Sequence, residues 1–137
     1  MKIKQIDHFV ITTRSLAESL HFYVDILGME HEEKDGHHSL KFGLQKINLH
    51  LTKGEFQPAA LKPEYGAQDF CLIVDEDLAA VKKEIEQKQW PILEGIVKRN
   101  GAQGSMQSLY LRDPDGNLVE LSSYCHHSED ITSNRKP

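Results

Sequence analysis

The order of elements is written twice along this chain, and that duplication narrows the available folds more than any composition does. The first copy opens on "IDHFVIT", where Ile6, His8 and Val10 share one strand face while Asp7, Phe9 and Ile11 share the other. A helix follows. Ser15 and Glu18 have capping-box spacing, Leu16, Leu20, Tyr23, Val24 and Leu27 recur at helical intervals, and Gly28 supplies a stop. "EHEEKD" then runs to a turn at Gly36, and "HSLKFG" and "KINLHL" form two short strands joined around Gly43 to Lys46. The order is strand, helix, three strands.

From Thr52 to Gln68 the chain carries Gly54, Pro58, Pro63 and Gly66 without usable periodicity, which predicts a connection. The order then begins again. "DFCLIV" is a strand, Leu78, Val81 and Ile85 mark a helix starting near Asp77, and "WPILEGIV" is extended. A polar loop "KRNGAQGS" leads into "QSLYLR", the turn "DPDGN" and a last strand "LVELSSY". The expected architecture is α+β: one domain over residues 3–124, made of two βαβββ modules at about 3–53 and 66–124 that curve a mixed sheet around a cleft. Residues 125–137 are polar, lack periodicity and are expected to be a flexible tail.

The duplication changes the meaning of four side chains. His8 opens the first strand of copy one and Asp69 the first strand of copy two; His50 and Glu120 lie in the two closing strands. Strand parity allows all four to face one cleft. Imidazoles and carboxylates suit a catalytic divalent ion (zinc, nickel, manganese, cobalt or ferrous iron), and no thiolate cluster competes. Taken alone, His8 is most simply a histidine satisfied by backbone. Glu120 weighs more, because a carboxylate between Val119 and Leu121 is costly to bury unless paired or metal-bound.

Composition removes several function classes. Sixteen basic against 21 acidic residues give a net charge of −5 with no internal basic block, which disfavours nucleic acid and anionic membranes and leaves a small-molecule substrate. There is no membrane-spanning run or signal peptide, and two unframed cysteines suit a reducing cytoplasm.

The two βαβββ copies, "IDHFVIT", "HFYVDILGME", "KINLHL" and "LYLRDPDGNLVEL" together resemble the vicinal oxygen chelate superfamily, which includes glyoxalase I, fosfomycin-resistance thiol transferases and extradiol dioxygenases. The likeness runs from about Ile3 to Tyr124. "FQPAALKPEYGAQD" and "RNGAQG" further resemble its virulence-protein or glyoxalase domain-containing protein 5 subgroup. The resemblance implies metal ligands on the first, fourth, fifth and eighth strands, which here are His8, His50, Asp69 and Glu120. Many relatives carry histidine where Asp69 stands. It also implies a homodimer, since members of this size usually complete their sites with a second copy.

Around these residues, Tyr110 has the strand parity of Ser108 and Arg112 and is a candidate to orient a substrate oxygen with Glu120 across the hairpin; a packed aromatic is the plainer alternative. Arg99 and Asn100, in a Gly-flanked loop, are candidates to meet an anionic group. His21, His31, His37 and His38 are expected to be solvated, and Cys71 to be small core packing. His126 and His127 lie in the tail as adventitious metal binders. The expected function is a metal-dependent lyase or isomerase of the glyoxalase type, acting on a small polar substrate with adjacent oxygens, with Glu120 moving the proton. Thiol transfer or ring-cleaving oxygenation at the same metal, and a metal-free sequestering protein, are the alternatives.

Overall fold

The computed structural model describes residues 1–124; the expected tail at 125–137, with Cys125, His126 and His127, lies outside the described residues. The chain is α+β and contains two four-stranded mixed sheets. It divides into two compact units, the first being Met1–Gln68 with Asp113–Asn117 and the second Asp69–Arg112 with the chain from Leu118 onward.

In the first unit, β1 (His8–Thr12), β2 (Glu30–Lys34), β3 (His37–Phe42) and β4 (Gln45–His50) form a sheet of order β1-β4-β3-β2. The outer pair β1 and β4 is parallel and the hairpins are antiparallel. The helix starts as expected. Ser15 is the N-cap of α1 (Leu16–Leu20) and its hydroxyl accepts from the Glu18 backbone N–H at 3.2 Å. The next turns, His21–Ile26, are π-helical, which keeps Phe22, Tyr23 and Ile26 buried. With Ile11, Leu40, Ile47 and Leu49 from the sheet, they make the unit's apolar core.

The turn Asp113–Asn117 belongs to this unit because Tyr23 reaches it. The Tyr23 hydroxyl donates to Asp113 Oδ2 at 2.7 Å, and the Asn117 Nδ2 donates to the same oxygen at 2.8 Å. Asp113 Oδ1 accepts from the backbone N–H groups of Asp115 and Asn117, both at 2.9 Å. The connection after β4 closes on the turn through Gly66, whose φ of +71° is left-handed and whose added Cβ would lie 2.4 Å from the Asp115 carbonyl oxygen. Backbone cannot yield as a flexible side chain does. Gly66→Ala is therefore expected to cost about 2–4 kcal/mol, as φ strain and steric overlap add; a urea midpoint unchanged from wild type would contradict this close approach.

The second unit repeats the pattern: β5 (Asp69–Ile73), α2 (Leu78–Gln87), β6 (Glu94–Gly101), β7 (Gly104–Arg112) and β8 (Leu118–Ser123), with sheet order β5-β8-β7-β6. Leu78 and Ile85 of α2 and Leu109, Leu111, Val119 and Leu121 of the sheet are buried. One expectation fails here. The segment expected as a polar loop, "KRNGAQGS", is mostly strand, because Lys98, Arg99 and Asn100 pair with Gln107, Met106 and Ser105 and leave only Ala102 and Gln103 to turn. Ladder pairing with a neighbour outweighs local polarity, which single-strand periodicity does not register. Among the described residues no helix is long and apolar enough to cross a membrane.

Candidate functional site

Each sheet has one face given to its core and one that carries polar side chains. In the first unit, β1 presents His8 and Val10 on the polar face, β4 presents Lys46, Asn48 and His50, and β3 presents His37, Ser39 and Lys41. His50 thus lies on the expected face. It does not meet His8, however. His8 is in register with Lys46 and Thr12 with His50, so the two histidines are four steps apart, roughly 13 Å along the strands. They have separate partners as well. His8 Nδ1 is 2.8 Å from Asp7 Oδ2, whereas the His50 ring packs edge-on against Phe56 with centroids 5.1 Å apart, and Phe56 stacks on His37 at 4.0 Å.

The ladders also correct the matching of the two copies. Asp69 is in register with Leu118, so Glu120 lies two steps beyond it; two steps beyond His8's partner Lys46 is Asn48, not His50. The counterpart of His50 is Ser122. A strand position counted from its end is unreliable because strand ends are not the register, and the Asn48 signal was present as the middle residue of "INL". His37 is exposed, as expected for a solvated histidine, and its ring stacks on Phe56. Partial burial pushes the His50 imidazole below its ordinary 6.5 and His37 adds to this, while Glu55 opposes it. Between the lowered value and 6.5 the unfolded chain holds a proton that the folded chain does not. Stability is therefore expected to be fully present above 6.5 and to fall as pH drops through the lowered value. An NMR titration of His50 with a midpoint at or above 6.5 would contradict that environment.

The second unit gathers more. Cys71, Glu120, Tyr110 and Glu94 form one register row across its four strands. Ser122 and Ser108 face each other in the next row. Their hydroxyls are 2.6 Å apart, Ser122 Oγ donates to Glu120 Oε2 at 3.1 Å, and the Cys71 thiol donates to Ser122 at 3.2 Å. A serine has one proton to give. With that proton committed to Glu120, the Ser108–Ser122 bond must run from Ser108 to Ser122. Glu120 is half-buried and held by one oxygen. Cys71 is exposed beside it and is not core packing; partial desolvation pushes its thiol up, which disfavours thiolate.

Tyr110 lies directly opposite Glu120, and its hydroxyl accepts from Arg99 Nε at 2.9 Å. Arg99 also approaches Glu94 at 3.6 Å. Asn100 must be separated from it: successive strand residues point to opposite faces, so Asn100 does not share Arg99's side of the sheet. Asp69 is exposed at the start of β5, two register steps from Glu120. Among the described residues no three or more His, Cys, Asp or Glu side chains gather closely enough to hold a metal ion. The donor chemistry of His8, Asp69 and Glu120 suits a divalent ion.

Family comparison accords with this fold. The model of the Glyoxalase/Bleomycin resistance protein/Dioxygenase superfamily matches residues 5–121. The chain belongs to that superfamily. It is 43% identical over 125 residues to Virulence protein STM3117 of Salmonella typhimurium, covering 90% of this chain and 87% of the relative. It is 42% identical to the glyoxalase domain-containing protein RDO1 of Mycosarcoma maydis, covering 90% and 70%. The crystal structure of STM3117 superposes with a TM-score of 0.88, covering 91% of this chain and all 100% of that one at 42% identity. A more distant superfamily structure, lactoylglutathione lyase from Agrobacterium tumefaciens, is 25% identical with a TM-score of 0.70, covering 90% and 96%. The superfamily includes lyases, isomerases and dioxygenases, and its members commonly use divalent metals.

Proposed function

We propose that the chain is a metal-dependent lyase or isomerase of the glyoxalase type, working as a homodimer on a small polar substrate with adjacent oxygens. The reading is carried by the row that sets Glu120 opposite Tyr110, with Ser122 holding one carboxylate oxygen and Arg99 holding the phenol. Metal donors are drawn from His8, Asp69 and Glu120. His50, four register steps from His8, is left out of that donor set. A divalent ion, when bound, polarises adjacent substrate oxygens as a Lewis acid.

The protein groups have separable tasks. Ser122 occupies Glu120 Oε2, so Oε1 is the oxygen free to take and return a substrate proton. Tyr110 accepts from Arg99, which leaves its own O–H to donate to a substrate oxygen as charge develops there. The test is metal analysis of untagged protein followed by proton exchange into candidate α-hydroxy and α-keto substrates in deuterated water. Stoichiometric divalent metal and metal-dependent exchange support the reading; metal-free protein with ligand binding but no exchange makes it a sequestering protein.

A further inference from the structure

The polar face of the first sheet encloses a groove of about 720 Å³. Its floor is Lys46, Asn48 and His50 of β4 with Ser39 and Lys41 of β3, and Phe56 forms a wall with His37. The register sets Lys41 and Lys46 directly opposite each other. Like charges in that relation destabilise a sheet, so this pairing works against the fold unless something else answers the charge.

The local acids answer only part of it. Three carboxylates border the groove: Glu32 pairs with Lys41 at 3.1 Å, Asp7 bonds His8 at 2.8 Å, and Asp35 sits in the turn between β2 and β3. Lys46 is half-buried in the interior strand β4, with His8 on one side in register and Lys41 on the other. It makes no ion pair among the described residues. Lys34 also borders the groove, but from the exposed edge strand β2, where water serves it.

We propose that this groove binds a small organic anion, a carboxylate- or phosphonate-bearing molecule whose charged group is held by the Lys46 ammonium. Asn48 and Ser39, beside Lys46 on the same face, supply neutral hydrogen bonds, and the Phe56 ring offers an apolar wall to the ligand's carbon portion. That this anion is the substrate rests on the function proposed above; that the groove binds it does not.

Calorimetry with phosphonoacetate, and with neutral propane-1,2-diol as control, tests the site on untagged protein stripped of metal over a chelating resin. Saturable binding of phosphonoacetate alone is expected. Lys46→Gln should weaken it about tenfold or more and Lys34→Gln by less than about twofold. Lys46→Gln should melt no lower than wild type, because it relieves the cross-strand repulsion. Absent binding, equal binding of the diol, or unchanged affinity in Lys46→Gln overturns the assignment. If Lys46→Gln fails to fold, the Ser39 and Asn48 amide shifts of wild type decide: movement on titration upholds the site and its absence overturns it. Binding that requires added metal and survives Lys46→Gln puts the anion on the ion, which overturns the groove and spares the metal reading. Binding without metal that Lys46→Gln removes upholds the groove even if metal analysis is negative.

Discussion

Asp113→Ala is expected to destabilise the protein by about 3–5 kcal/mol and to lower its melting temperature by roughly 10–20 °C. The carboxylate is only 4% exposed and accepts four hydrogen bonds, from the Tyr23 hydroxyl, the Asn117 side chain and two backbone N–H groups of its own turn. Alanine would strand all four donors. Tyr23, itself fully buried, cannot turn to water, and burial with the adjacent carboxylate pushes its ionisation far upward, so it remains a neutral donor throughout the working pH range. Each stranded buried donor costs about 1–3 kcal/mol, discounted because the turn can partly open to solvent. Urea denaturation measures the loss; a change below about 1 kcal/mol would mean that the turn does not depend on Asp113. Asp113→Asn, which keeps one acceptor oxygen, should lie between alanine and wild type.

The second large effect is on turnover. Glu120→Gln is expected to reduce activity about a thousandfold or more once the substrate is known, because it removes the proton-carrying oxygen at almost constant volume. The fold should survive. Ser122 can still donate to the amide oxygen, so the melting transition should move by less than about 1 kcal/mol, as for a surface substitution that leaves hydrogen bonds intact. Metal content, measured on the same untagged sample, should fall with the lost charge. If Glu120→Gln keeps both metal and full activity, Glu120 is structural and the proposed mechanism is wrong.

Asp113 and Asn117 come from "DPDGN", which the sequence marks plainly as a turn, yet nothing in that pentapeptide names Tyr23 as its partner. Glu120, three residues past the turn, was legible because a carboxylate amid Val119 and Leu121 conflicts with burial. That Tyr110 and Glu120 share a face was legible too, since a hairpin around a short turn fixes parity; that they stand directly opposite is a matter of register.

Alternation and helical spacing, with turn residues, determined the element order, the doubled βαβββ plan and which side chains share a sheet face. Those are local consequences of backbone geometry, written within a few residues. Register was decided only by the tertiary structure. It moved the counterpart of Glu120 from His50 to Asn48, set Lys41 against Lys46 and converted Arg99 and Asn100 from a loop into a strand with opposed faces. A ladder joins residues far apart in the chain, and sliding it by two positions preserves every inward and outward assignment. Parity is therefore readable in one strand, whereas register depends on packing against the neighbouring strand.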